Sequence, residues 1–150
     1  MASKKKPKKL KDVYQIKISL EGIRPPIWRR LEVFSDTTLE KLHLIIQIAM
    51  GWANYHLHQF TIEGEEYGQP DPDYDFEMEN EKKVKLYQVV PMEKFKFSYE
   101  YDFGDNWQHT VLVEKILSRP QACSLVEPFH NSIVENVVKR LSLDICILGV

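Results

Sequence analysis

The residues best equipped for chemistry lie between Phe97 and Val111, in the run Phe-Ser-Tyr-Glu-Tyr-Asp-Phe-Gly-Asp-Asn-Trp-Gln-His-Thr-Val. Aromatic and polar residues alternate on both sides of Gly104-Asp105-Asn106, the pattern of a β-hairpin around a tight turn. In the first strand Phe97, Tyr99, Tyr101 and Phe103 share one face, and Ser98, Glu100 and Asp102 the other. In the return strand Trp107, His109 and Val111 alternate with Gln108 and Thr110. Asp102, Asp105 and His109 could gather as a polar cluster that holds a metal or a ligand. The competing reading is structural and is preferred. Gly104 supplies the turn's backbone freedom, and Asp105 and Asn106 are turn residues. Asp102 then pairs with Arg29 or Arg30, because a buried charge needs a partner.

Tyr55-His56-Leu57-His58 is the second candidate. On a strand, His56 and His58 face the same side, as a two-histidine metal site requires. His43 could approach from a helix. A third ligand would have to be His109 or a hairpin carboxylate, since most metal sites need at least three protein ligands. The enzymatic alternative is therefore a metal-dependent hydrolase or nuclease using His56, His58, Asp102, Asp105 and His109, with a divalent metal activating water. Otherwise no cofactor is expected. Asp71-Pro72-Asp73-Tyr74-Asp75 fails as a calcium loop, because Phe76 stands where glycine is needed and Lys82 where glutamate is needed. No glycine-rich phosphate cradle, nucleophile elbow or catalytic Cys/His pair is evident.

The elements that must position these groups follow from composition and period. The chain has 150 residues and is 43% hydrophobic, enough for one domain. No apolar run approaches the ~20 residues of a membrane helix, and no secretory leader is evident. Two cysteines, Cys123 and Cys146, form no disulfide framework, so a reducing cytoplasm is the expected compartment. Lys4, Lys5, Lys6, Lys8, Lys9 and Lys11 fall in residues 1–11, leaving 14 of the 20 basic residues against 22 acids in the body. This arm reads as a disordered tail; contact with nucleic-acid phosphates through its lysines is a further reading. The acidic body argues against a broad nucleic-acid surface.

Val13–Leu20 alternates as a half-buried strand. Ile27–Phe34 follows, with Ile27, Arg29, Leu31 and Val33 on its core face and Trp28, Arg30, Glu32 and Phe34 opposite. Thr37-Thr38-Leu39-Glu40 reads as a capping box. It opens a helix of about 38–50 that stops at Gly51. Residues 57–63 read as a strand. Residues 63–81 carry nine acids and no base, which suggests an exposed loop. Val84–Leu86 suggests a short strand and Tyr87–Val90 a helical turn. Beyond Pro120, the stripe Ile133, Val134, Val137, Val138 and Leu141 suggests a second, C-terminal helix, and Leu143–Val150 a last strand. The fold expected is α+β: a mainly antiparallel sheet with the 38–50 helix packed on one face. Its domain spans 12–118, between the arm at 1–11 and a divergent segment at 119–150.

Four ordered blocks resemble the Ri-plasmid open-reading-frame-three-like family. They are Pro25-Pro26-Ile27-Trp28-Arg29-Arg30; Leu42-His43 through Ile46-Gln47 to Met50-Gly51-Trp52; His56-Leu57-His58-Gln59-Phe60; and Tyr99 through His109. The resemblance covers about residues 12–118. It implies a compact α+β domain carried on plasmids, by insertion elements and on chromosomes. Some members are labelled resolvases, but the family brings no catalytic residues to transfer. A serine resolvase would need an activated serine among arginines, and none is evident. Members usually continue into a Cys-containing stretch, a Pro-Pro-Glu-Asp motif and a Gly-Gly-Tyr region; here Pro120-Gln121-Ala122-Cys123 leads into Ser124-Leu125-Val126. The leading functional expectation is a non-enzymatic binding or adaptor module, serving a mobile element. Its contact surface is expected around Trp28, Trp52 and Trp107, with Arg29, Arg30, Asp102 and Asp105.

Overall fold

Alternating apolar residues build one large sheet. The computed structural model describes residues 10–73, 77–120 and 145–149. The chain runs β1 (Leu10–Leu20), β2 (Ile27–Phe34), α1 (Leu39–Met50), β3 (His58–Ile62), β4 (Glu65–Gly68) and β5 (Glu79–Asn80). A 3-10 turn (Glu81–Lys83) and the one-turn helix α2 (Leu86–Val89) follow, then β6 (Lys96–Tyr101), β7 (Trp107–Pro120) and β8 (Ile145–Gly149). The eight strands lie in the order β5-β4-β3-β6-β7-β1-β2-β8. All neighbours pair antiparallel except β4 and β5, which are parallel.

This corrects the α+β expectation. Among the described residues the fold is sheet-dominated: a mixed sheet with one substantial helix, not a helix-packed α+β arrangement. Strand patterns run longer than their clearest alternation suggests. β1 has 11 residues and β7 has 14, against 12 in α1. The acidic loop also yields β5, whose Glu-Asn sequence carries no strand signal. The C-terminal helix expected at 133–141 lies outside the described residues, whereas Ile145–Gly149 pairs with β2 as a last strand. Lys11, counted with the basic arm, lies in β1, where its ammonium meets Asp36 at 2.7 Å and sits over the Phe34 ring.

Register decides what each face buries. Ile16 faces Leu31 and Val113, Ile18 faces Arg29 and Val111, and Tyr99 faces Phe60 and His109. These residues share the face that packs with Leu42, Ile45, Ile46 and Ala49 of α1 in the main core. β7 holds one extra residue at Glu114: Gln15 pairs with Lys115, but Ile16 pairs with Val113. This bulge exchanges the faces of β7 beyond it. Ile116 joins the main core, while Leu117 packs with Val13 and Phe34 in a second, small cluster. Glu114, re-aimed by the bulge, accepts two bonds from Arg30, at 2.7 and 2.9 Å, and one from Gln15. The Arg30 guanidinium holds its carboxyl at about 2, well below the usual carboxylate range.

α1 starts one residue later than the capping-box pattern implies. Thr38 is the N-cap, and its hydroxyl accepts from Lys41 N. Gly51, at φ 75°, closes the helix, and its N–H turns back to Gln47 and Ile48. Arg29 reaches across from β2 and donates Nε–H to the Ala49 carbonyl at 2.8 Å, placing a cation at the negative end of the helix. Thr38→Ala should lower stability by about 1 kcal/mol, read as a shifted urea midpoint, with Thr38→Ser near neutral. An equal loss from Thr38→Ser would show that the hydroxyl is not the cap.

Candidate functional site

The hairpin turn is held by Asp102. Its backbone, at φ 62°, donates N–H to Leu57 O and accepts from Asn106 N. Its Oδ1 accepts from Gly104 N and Asp105 N, and its Oδ2 lies 3.5 Å from His56 Nε2. Asp102 therefore pairs with neither arginine: Arg29 caps α1 and Arg30 holds Glu114. The left-handed turn positions are Asp102 and Asn106, so Gly104 is not what frees the backbone. Asp105 is exposed at the tip.

Behind this turn lies a buried polar network that no motif announced. His43 and Gln47, four residues apart on α1, both reach the Tyr99 hydroxyl, at 2.7 and 2.9 Å. Gln47 Nε2 donates to that oxygen, and Asn54 Oδ1 accepts from His43 Nε2 at 2.8 Å. The Tyr99 proton is thereby directed to His43 Nδ1. Gln47 Oε1 accepts from Asn54 N, and Tyr101 OH accepts from Tyr55 N. His43 must be neutral for this arrangement. Burial, then the nearby His58, pushes it down to about 3 against the hydrogen bond it donates to Asn54. Burial also raises the Tyr99 hydroxyl far above its ordinary range.

His58 stacks flat on His43, ring centroids 3.3 Å apart. Its Nε2 meets Glu81 Oε2 at 2.7 Å, with side-chain exposures of 5% and 0%. Glu81 comes from the segment expected to be a solvated acidic loop, where nothing local in sequence marks it for burial. His43 and Gln47 were more legible: two polar residues at i and i+4 on the apolar stripe of a helix need partners in the core.

The structure separates the proposed metal ligands. His58 is buried on Glu81. His56 is half-exposed beside Asp102 and the Tyr101 ring. His109 is fully buried, its Nδ1 on the Tyr99 carbonyl. Among the described residues no group of three or more His, Cys, Asp or Glu is placed to hold a metal ion. The tryptophans divide as well. Trp52 packs on Trp107 and Tyr101 at the end of α1, whereas Trp28 lies under Lys17 and Arg30 on the opposite face of the sheet.

Next to His58 the surface opens into a cleft of 180 Å³, lined by Leu57, Gln69, Pro70, Asp71, Pro72, Met78 and Phe103. Gly68 forms part of its support: a Cβ there would meet Met78 Sδ at 2.7 Å. Leu57 is 61% exposed, Phe103 38% and neighbouring Tyr55 84%. The network above fixes this rim, because Asn54, Tyr55 and Leu57 are each tied to it or to the hairpin by backbone bonds.

A similar fold is seen in the crystal structure of a protein of unknown function, MM3350, from Methanosarcina mazei Go1. That chain matches with a TM-score of 0.64 and 39% identity, over 77% of this chain and 67% of its own. The chain belongs to the plasmid pRiA4b ORF-3-like family, whose sequence profile matches residues 12–137, reaching into the segment read as divergent. The uncharacterized protein y4hQ of Sinorhizobium fredii is 35% identical over 104 residues. That alignment covers 69% of this chain and 54% of y4hQ, so the chain spans about half the length of this curated relative. Among the described residues no helix is long and apolar enough to cross a membrane.

Unfolded imidazole takes up a proton near 6.5, while folded His43 stays neutral down to about 3. The unfolded state thus binds more protons in that window. Stability present above it is lost as pH falls, at up to about 1.4 kcal/mol per pH unit for each such histidine. Burial lowers His109 in the same direction. Urea midpoints should therefore fall from about pH 7 to about pH 5, before Glu114 titrates, and the slope should flatten in His43→Asn. An unchanged slope in that variant would remove His43 from the account.

Proposed function

We propose that the chain is a recognition module, not an enzyme, and that it holds a partner at the cleft beside His58. The size of that cleft, 180 Å³, carries the reading. Pockets for cofactors and drug-sized ligands run to about 300–1,000 Å³. A cavity of about 150 Å³ takes a benzene-sized group. One large apolar side chain of a partner fits the space, as an anchor residue fits its pocket at the centre of an interface. The titratable groups nearest to it favour binding over catalysis, because His58 and Glu81 are already spent on each other at 2.7 Å. The contact surface accordingly moves from the three tryptophans to Leu57, Phe103 and Tyr55. The segment carrying Tyr55 and Leu57 is tied to the hairpin by backbone hydrogen bonds, which reduces the ordering cost of association.

Methyl NMR of the full chain tests this. Titration with the N-acetyl amides of phenylalanine and leucine should move the Met78 methyl saturably, and the alanine amide should not. Leu57→Ser and Phe103→Ser, both at exposed positions, should weaken the effect without loss of fold. Gly68→Ala, whose Cβ would meet Met78 Sδ at 2.7 Å and so displace that side chain, should weaken it too. No saturable movement with either large side chain would overturn the proposal.

A further inference from the structure

We propose that the segment this cleft receives is basic: an apolar or aromatic anchor residue flanked by lysine or arginine. The inference rests on the recognition reading above and adds the chemistry of the partner. Acids alone define no site; here the cleft defines it and the acids select what enters.

Three observations point the same way. Asp71 lines the cleft, and two of its walls, Pro70 and Pro72, belong to the stretch 63–81 with nine acids and no base. Glu63, Glu65, Glu66, Asp71, Asp73, Glu77 and Glu79 are all exposed. Among the described residues the only acid of that stretch in an ion pair is Glu81, on buried His58. The seven exposed carboxylates give this side of the molecule an excess of negative charge that favours an incoming cation. Their joint field reaches Tyr67 on β4: burial raises its hydroxyl first, and Glu65, Glu79 and Glu63 raise it further. Exposed ion pairs are individually weak. The apolar anchor therefore supplies most of the affinity, and the acidic rim steers encounter and rejects acidic segments.

Fluorescence anisotropy with short labelled peptides separates the parts. A phenylalanine flanked by lysines should bind at least about tenfold more tightly than one flanked by glutamates at low salt, a gap of about 1.4 kcal/mol. Near about 1 M salt, where the screening length is about 3 Å, most of that gap should close. Asp71→Lys combined with Glu79→Lys should reverse the preference. Both residues are exposed, and retained far-ultraviolet circular dichroism would confirm the fold. Equal affinity for the two phenylalanine peptides overturns the basic partner and leaves the recognition reading standing. A lysine peptide with alanine as its centre that binds as tightly as the phenylalanine one overturns the anchored basic segment in favour of diffuse attraction. If neither phenylalanine peptide binds or moves the Met78 methyl, both readings fall.

Discussion

One hydroxyl group holds three parts of this protein in register. Tyr99 stands in β6, near the middle of the sheet, and is fully buried. Its oxygen accepts from Gln47 and is oriented to donate to His43. Those two residues bind Asn54 on the loop after α1 through its side chain and its backbone N–H. Helix, sheet and loop therefore meet at one atom. Leaving such a buried group unsatisfied costs about 1–3 kcal/mol. Each member of the set has only one role consistent with its neighbours, so the network tolerates one arrangement and excludes others. The stacking of His58 on His43, and the burial of Glu81 beneath it, depend on that arrangement.

The division between this rigid back and an exposed front gives the molecule its character. Behind Leu57 the contacts among His43, Gln47, Tyr99, His58 and Glu81 are short and buried. In front of it lie prolines, a methionine and two exposed apolar side chains. The relative y4hQ is described as uncharacterized and MM3350 as a protein of unknown function. The opposite face of the sheet is a different kind of surface. There Lys17 and Arg30 lie over Trp28, and the Arg30–Glu114 pair forms a partly exposed polar strip.

Much of the scaffold was legible because it is local. The alternation of Val13–Leu20, the Ile27–Phe34 strand and the hairpin about Gly104 can be read from period alone, as can the helix ending at Gly51. The same parity places Trp28 on the face away from Leu31, so its separation from Trp107 could have been suspected. What was not legible depends on pairing across the sheet. Strand lengths near 11 and 14 residues come from tertiary partners, as does β5, which forms from residues with little strand preference. The burial of Glu81 has no local cause: a carboxylate in an acidic stretch resembles its eight neighbours until His58 is brought against it. Asp102 shows the reverse error. Its carboxylate is occupied by its own turn amides, two and three residues ahead, and not by a distant arginine.

The extra residue at Glu114 has a consequence for how securely β7 is placed. On its turn side the strand buries Val111 and Val113 on the helix face. Beyond the bulge it buries Ile116 on that face and Leu117 on the other. A regular strand slipped by two residues keeps its apolar side inward, and so pays little for the error. In β7 a two-residue slip keeps both apolar sides but carries the bulged Glu114 away from Arg30 and Gln15, whose hydrogen bonds it accepts. The irregularity therefore acts as an index mark, by which the longest strand of the sheet can be aligned in one position only.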